Sequence, residues 1–251
     1  RREQIAVYRA SSNRGNSAIA EIEHLRALAE SIDANALKFR LGGRMSRNVD
    51  IPVGRSEELI RIAREAFGPA MTLYADANSS YDVENAVRIG RLMEEHDYAF
   101  FEEPVPFDDL WGTRKVNRRL TIPVAGGEQE FSLRRMRWAI ENEVMDVVQP
   151  DLHYFGGMVR CATVARWANR LGKPCTVHMS GSGLGWLYVL HFASFVEDPG
   201  EYQEYKGESS IPFDCPTVRL QCRRGKIPVP KGPGWGIEID PDYLRRGERV
   251  S

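Results

Sequence analysis

Seven ionisable residues recur along the sequence: Lys38, Asp76, Glu102, Glu128, Asp151, His178 and Glu204, each in or just after a short apolar run. From Asp76 onward the steps between them are 26, 26, 23, 27 and 26 residues. Three are acids in register, within Asp76-Ala77-Asn78, Glu102-Glu103-Pro104 and Gly127-Glu128-Gln129. One acid in such a loop reads first as a cap for the helix that follows. Three carboxylates ending neighbouring strands, about 4.8 Å apart, converge instead. So much negative charge in one place is unfavourable unless a cation holds it. With neither Cys nor His beside them, all-oxygen ligation favours Mg²⁺, with Mn²⁺ as a substitute, over zinc.

Alternation along Lys38-Phe39-Arg40 puts the lysine and the arginine on one face of a strand and the phenylalanine on the other. Two cations beside a metal either lower the pKa of the lysine or grip a carboxylate; a salt-bridge layer filling the interior is the plainer alternative. Asp151 and His178 end successive strands, so the carboxylate can orient the imidazole and fix its tautomer. Such a pair supplies a general acid and base. Glu204 reads equally as a group that neutralises a developing oxyanion and as an ordinary strand-end acid. His153, two residues past Asp151, is placed at the mouth, whereas His24, His96 and His191 fall on or at the ends of expected helices as structural or surface groups.

A strand, its loop and a returning helix take roughly the number of residues in each step. The spacing therefore describes polar groups at the ends of successive parallel strands, the mouth of a (β/α)₈-type barrel. Periodicity predicts strands over Gln4–Tyr8, Ala36–Leu41, Met71–Ala75, Ala99–Phe101, Val124–Ala125, Val147–Gln149, Pro174–Val177 and Tyr202–Tyr205. It predicts helices over Asn16–Ser31, Ser56–Phe67, Val83–Glu95, Leu110–Arg119, Leu133–Glu141, Met158–Arg170 and Leu184–Phe195, the second starting on a Ser56 cap. A basic, Gly-containing insertion from Gly42 to Arg55 explains the longer step from Lys38 to Asp76 and is a candidate part of the substrate pocket. The expected organisation is one barrel domain over residues 1–251, with an irregular Pro- and Gly-rich tail from about 207.

A net charge of −1 gives no electrostatic reason to expect nucleic acid or a membrane as partner. No apolar stretch approaches the roughly 20 residues of a membrane-spanning helix, and no signal-peptide pattern opens the sequence. The four cysteines lack metal-clip spacing and disulfide density, which points to a reducing, cytoplasmic compartment.

The ordered set of segments resembles the enolase superfamily, in particular its mandelate racemase-like subgroup. The matching residues are Leu37-Lys38-Phe39-Arg40, Tyr74-Ala75-Asp76-Ala77-Asn78, Phe101-Glu102-Glu103-Pro104, Gly126-Gly127-Glu128, Gln149-Pro150-Asp151 with Gly156-Gly157, Val177-His178, and the tail Gly232-Pro233-Gly234-Trp235-Gly236 with Ile239-Asp240. The resemblance implies a modified (β/α)₇β barrel and symmetric homo-oligomers. It also implies an N-terminal α+β capping domain, which is expected to be absent from this chain. It assigns Mg²⁺ ligation to Asp76, Glu102 and Glu128, acid/base work to the His178–Asp151 dyad and the Lys38 strand, and electrophilic help to Glu204. Arg40 stands where the family pattern has a second lysine. Arginine is a poor base and a good clamp for a carboxylate or hydroxyl, which leaves His178 as the main proton carrier.

The expected reaction is dehydration of an acid sugar, an aldonate or aldarate. Either neutral Lys38 or His178 removes the proton next to a metal-chelated carboxylate, and the β-hydroxyl leaves through an enediolate to give a 2-keto acid. The alternatives are racemisation or epimerisation of a 2-hydroxy or related acid, with Lys38 as second base, and a non-catalytic barrel that binds a metal and a carboxylate. A cycloisomerase is less expected, because those relatives generally carry lysines on both faces.

Overall fold

The computed structural model describes residues 1–179, 184–207, 220–239 and 241–245. Strands β1 (Gln4–Ala10), β2 (Ala36–Arg40), β3 (Thr72–Asp76), β4 (Phe100–Glu102), β5 (Val124–Gly126) and β6 (Val147–Val148) are each followed by a helix. These helices are α1 (Ala18–Ile32), α2 (Arg55–Phe67), α3 (Val83–Glu95), α4 (Leu110–Asn117), α5 (Leu133–Glu141) and α6 (Met158–Arg170). A segment ending at His178 leads to α7 (Leu184–Phe195), and β7 (Gln203–Tyr205) follows. Pairing is parallel in the order β6-β5-β4-β3-β2-β1-β7. The 175–178 segment adds to β6 through two parallel bridges, Val148 with Cys175 and Asp151 with His178. Eight parallel positions and seven intervening helices make the modified (β/α)₇β barrel.

The strand expected at 174–177 is thus reduced to single bridges. Pro174 has no N–H to give, and the Cys175 N–H goes to Asp198 O at 3.0 Å rather than to a neighbouring strand. Side chains join this segment to β7's neighbourhood: Thr176 Oγ1 donates to Pro199 O at 2.9 Å and Lys206 Nζ to Met179 O at 3.1 Å. In the tail, β8 (Lys226–Pro228) runs antiparallel to β1, and Trp235 packs on α7 with its ring 4.4 Å from that of Tyr188. A short helix, α8 (Pro241–Arg245), follows. Asp240 and Cys215 lie outside the described residues. No helix among the described residues is long and apolar enough to cross a membrane.

Period-two alternation builds the barrel in shells. Leu37, Phe39, Leu73, Ala75 and Phe101 point outward into an apolar layer shared with α1 to α4, where Phe39 meets Tyr98 edge-on at 5.9 Å. Inward, Tyr8, Ala36, Tyr74, Phe100, Ala125 and Val147 fill the barrel floor. Tyr74 and Phe100 stack at 4.0 Å and Tyr8 closes on Tyr74 at 5.1 Å, so the floor is dry aromatic packing. One pleat above that floor stand the polar residues.

One expected boundary is corrected. Helix α2 begins after Gly54, which holds φ 79° and makes no side-chain cap. Ser56 lies inside the helix, with its N–H and hydroxyl both directed to Asp50, at 2.6 and 2.8 Å.

Candidate active site

The register of the sheet brings the polar layer together. Arg40 pairs with Asp76 across β2 and β3, and Asp76 with Glu102 across β3 and β4. Glu128 needs a break in alternation. Ala125 faces inward, so a regular β5 would send residue 127 in and residue 128 out. Gly127 at φ 109° turns the chain instead, and Glu128 joins the acids. One oxygen from each of Asp76, Glu102 and Glu128 lies within 4.8 Å of the others, and all three residues are buried.

Lys38 and Arg40 grip carboxylates. Lys38 Nζ reaches Glu102 Oε2 at 2.7 Å, Glu102 Oε1 at 2.9 Å and Glu204 Oε1 at 3.0 Å, resting 5.1 Å above the Tyr8 ring. Arg40 pairs with Asp76 and lies 3.8 Å from Glu204 Oε1. Of the two roles read from sequence, the grip on carboxylates is the one these contacts make. Burial works against the ammonium, but Glu102 and Glu204 outweigh it and push the Lys38 pKa up. Glu204 is driven well down: burial opposes the charge, and Lys38, Lys206, His178 and Arg40 overcome it.

On the far side, His178 Nδ1 lies 2.7 Å from Asp151 Oδ2. Asp151 Oδ1 accepts the backbone N–H groups of His153 and Tyr154 at 2.6 and 2.8 Å, which fixes the carboxylate. The free edge of the imidazole looks into the acid ring, with Nε2 3.3 Å from Glu128 Oε2 and 3.7 Å from Glu204 Oε2. Burial would lower the His178 pKa, but the Asp151 hydrogen bond and the charges of Glu128 and Glu204 raise it. All eight residues singled out from sequence therefore meet in one cluster. His153 is exposed at the rim with its ring 6.0 Å from Tyr188, and His191 is held by Trp235 O at 3.0 Å.

Charge and hydrogen bonding show what the cluster can hold. Four buried carboxylates, Asp76, Glu102, Glu128 and Glu204, face the buried cations Lys38 and Arg40, with Lys206 reaching Glu204 from the rim at 3.5 Å, so the acids outnumber the cations that touch them. Glu128 Oε2 is buried and accepts no hydrogen bond, whereas Asp76 Oδ2 faces the Arg40 guanidinium. Burial raises the Glu128 pKa, the expected response of an under-compensated carboxylate. Three converging oxygens with spare lone pairs fit a hard divalent cation with open positions for water and substrate.

Several contributors were not assigned from sequence. Gln149 Nε2 donates to Glu102 Oε2 at 3.2 Å; its position two residues before Asp151, on the same face, was the available signal. Asn78, at φ 40°, donates its backbone N–H to Asp76 Oδ1 at 2.7 Å. Glu103, at φ 41°, is buried beside the trio, and its pKa is raised first by burial and then by Glu128 and Glu102. No periodicity signals a left-handed residue after a strand.

The Enolase C-terminal domain-like family matches residues 21–243. The chain belongs to the enolase superfamily. This enolase-superfamily barrel is similar to the D-galactarolactone cycloisomerase of Agrobacterium fabrum, 34% identical over 206 residues, covering 78% of this chain and 54% of that protein. It is 26% identical over 182 residues to the arabinonate dehydratase of Saccharolobus solfataricus, covering 72% of this chain and 48% of that protein. It is 30% identical over 200 residues to the N-succinylamino acid racemase of Thermus thermophilus, covering 78% and 53%. A mandelate racemase/muconate lactonizing protein from Paracoccus denitrificans, solved in complex with magnesium, matches with a TM-score of 0.88 and 27% identity over 97% of this chain and 65% of that one. The chain spans about half the length of the curated relatives it matches. These relatives are enolase-superfamily enzymes of three reaction types.

Proposed function

We propose that this barrel carries the chemistry of a Mg²⁺-dependent acid-sugar dehydratase, a hydro-lyase that converts an aldonate or aldarate to a 2-keto acid. The observation that carries the reading is the single His178–Asp151 dyad aimed into the acid ring, with Lys38 across from it engaged by Glu102 and Glu204. Asp76, Glu102 and Glu128 would hold the ion, in keeping with the magnesium complex of the Paracoccus relative. Bound there, Mg²⁺ acidifies the hydrogen on the carbon beside a carboxylate and stabilises the charge left behind.

The residues divide the remaining work. In the neutral imidazole, Asp151 holds the proton on Nδ1, so His178 Nε2 is the free acceptor that takes the α-proton. The resulting imidazolium, stabilised by Asp151, returns that proton to the departing β-hydroxyl on the same face. One dyad thus serves both steps of a syn elimination, and the enol product becomes the 2-keto acid. Lys38 remains a cation that positions Glu102 and Glu204, and Arg40 clamps the carboxylate end of the site.

The test uses the full-length protein with Mg²⁺ and a panel of aldonic and aldaric acids and their lactones. A semicarbazide-reactive 2-keto product supports the dehydratase. Exchange of the α-hydrogen in D₂O without keto product would replace it with a racemase, and lactone consumption without either would replace it with a cycloisomerase. Binding with no turnover of any acid would leave a metal–carboxylate-binding barrel.

A further inference from the structure

The mouth carries positive charge that the chemistry above does not use. Arg14, in the loop between β1 and α1, donates from Nη2 to the Asn78 side-chain oxygen. Its Nε is buried without a hydrogen-bond partner, and among the described residues no carboxylate lies within 4 Å of its guanidinium. Arg44, in the 42–55 insertion, is exposed and likewise has no acid within that distance among the described residues.

Backbone contacts fix both residues on one wall. The Met45 N–H donates to Asn78 O at 2.9 Å and the Asn48 N–H to Ser80 O at 2.7 Å, which docks the insertion on the loop after β3. Arg44 therefore flanks the asparagine that Arg14 holds. Arg55 ties the same loops together from below, donating to Arg40 O at 2.9 Å and Asn16 O at 2.7 Å. In ring order β3 stands four positions from the 175–178 segment, so this wall faces His178 across the mouth. Burial and the like charges of Arg40, Arg44 and Arg55, opposed by the charge of Glu128, bring the Arg14 pKa down to about 10, which leaves it cationic at neutral pH. Neighbouring guanidinium groups with no carboxylate in contact are unfavourable unless an anion joins them, and a guanidinium's paired N–H groups match a carboxylate.

We infer that Arg14 and Arg44 form a second anion subsite, so that the substrate carries a carboxylate at both ends: an aldarate rather than an aldonate. This deepens the acid-sugar reading and rests on it for the identity of the ligand. In the acid's bound pose one carboxylate lies at the Asp76–Glu102–Glu128 end and the other at the Arg14 wall.

The experiment is titration calorimetry of the full-length protein in Mg²⁺ with D-glucarate and D-gluconate, which differ only in the oxidation of the terminal carbon. The wild type is expected to bind the diacid about tenfold or more tightly, the size of one charge-assisted contact. In Arg14→Gln, and separately in Arg44→Gln, the ratio of the two affinities should collapse toward one, while Arg14→Lys keeps part of it. Equal wild-type affinities, binding of neither acid, or a ratio unchanged in both Gln variants overturns the subsite. Turnover assayed on the same samples separates the two readings, because selective diacid binding without a 2-keto product keeps the subsite and removes the dehydratase.

Discussion

Replacing Asp151 by Asn tests the proton carrier through the carboxylate that holds its Nδ1. Asp151 has no solvent exposure. Burial would raise its pKa, yet hydrogen bonds from His178 and from the backbone of Tyr154 and His153 pull it from 3.8 to about 2. At about 1.36 kcal/mol per pH unit, that depression is worth roughly 2.5 kcal/mol of stability. The sign follows from the direction: the contribution is complete above pH 4 and disappears as pH falls from about 4 toward 2. Asn can still accept the two backbone N–H groups but offers His178 an amide donor. The imidazole then carries its proton on Nε2, where it must accept one, and its pKa falls because burial is no longer opposed by the Asp151 hydrogen bond. We expect kcat to drop about 10²- to 10⁴-fold. The acid limb of its pH profile should move to lower pH, and Tm at pH 7 should fall by about 5 °C. The assays are keto-acid release between pH 5 and 9 and thermal unfolding at pH 7 and pH 3, where the stability difference should shrink. A variant with kcat within threefold of wild type and an unmoved acid limb would refute the assignment.

Three further outcomes follow from the same contacts. Lys38→Met leaves Glu102 and Glu204 without their shared ammonium and should destabilise the fold by about 3–5 kcal/mol in chemical unfolding. Gly42 holds φ 58°, and a Cβ there would meet the Ser80 Cβ at 2.6 Å. Gly42→Ala should therefore destabilise by about 1–3 kcal/mol and expose residues 43–55 to limited proteolysis first. Saturating Mg²⁺ should raise the Tm of the wild type by about 5 °C, and Glu128→Gln should abolish most of that rise.

Much of the barrel was legible because its periodicity is regular. Helices α3, α5, α6 and α7 run over the residues that spacing marked, and the polar strand ends fall together as their steps implied. The remainder depends on contacts distant in sequence or on single backbone angles. Ser56 is a good cap by type, but Asp50 captures its N–H and the helix starts earlier. Lys38 sits near enough to an expected metal for a lowered pKa to be reasonable, and only the packing of Glu102 and Glu204 around it reverses the direction. Gly127, Asn78 and Glu103 act through positive φ angles that a strand pattern hides, and Arg14 lies in a loop with no period at all.

The proposed chemistry turns on one divalent ion shared by Asp76, Glu102 and Glu128. A crystal of the full-length protein grown with Mn²⁺ and measured at the manganese edge should show a single strong anomalous peak bonded to one oxygen of each acid, with His178 on the opposite side of the open coordination positions. A peak elsewhere, or none at saturating Mn²⁺ with the three side chains ordered, would contradict it.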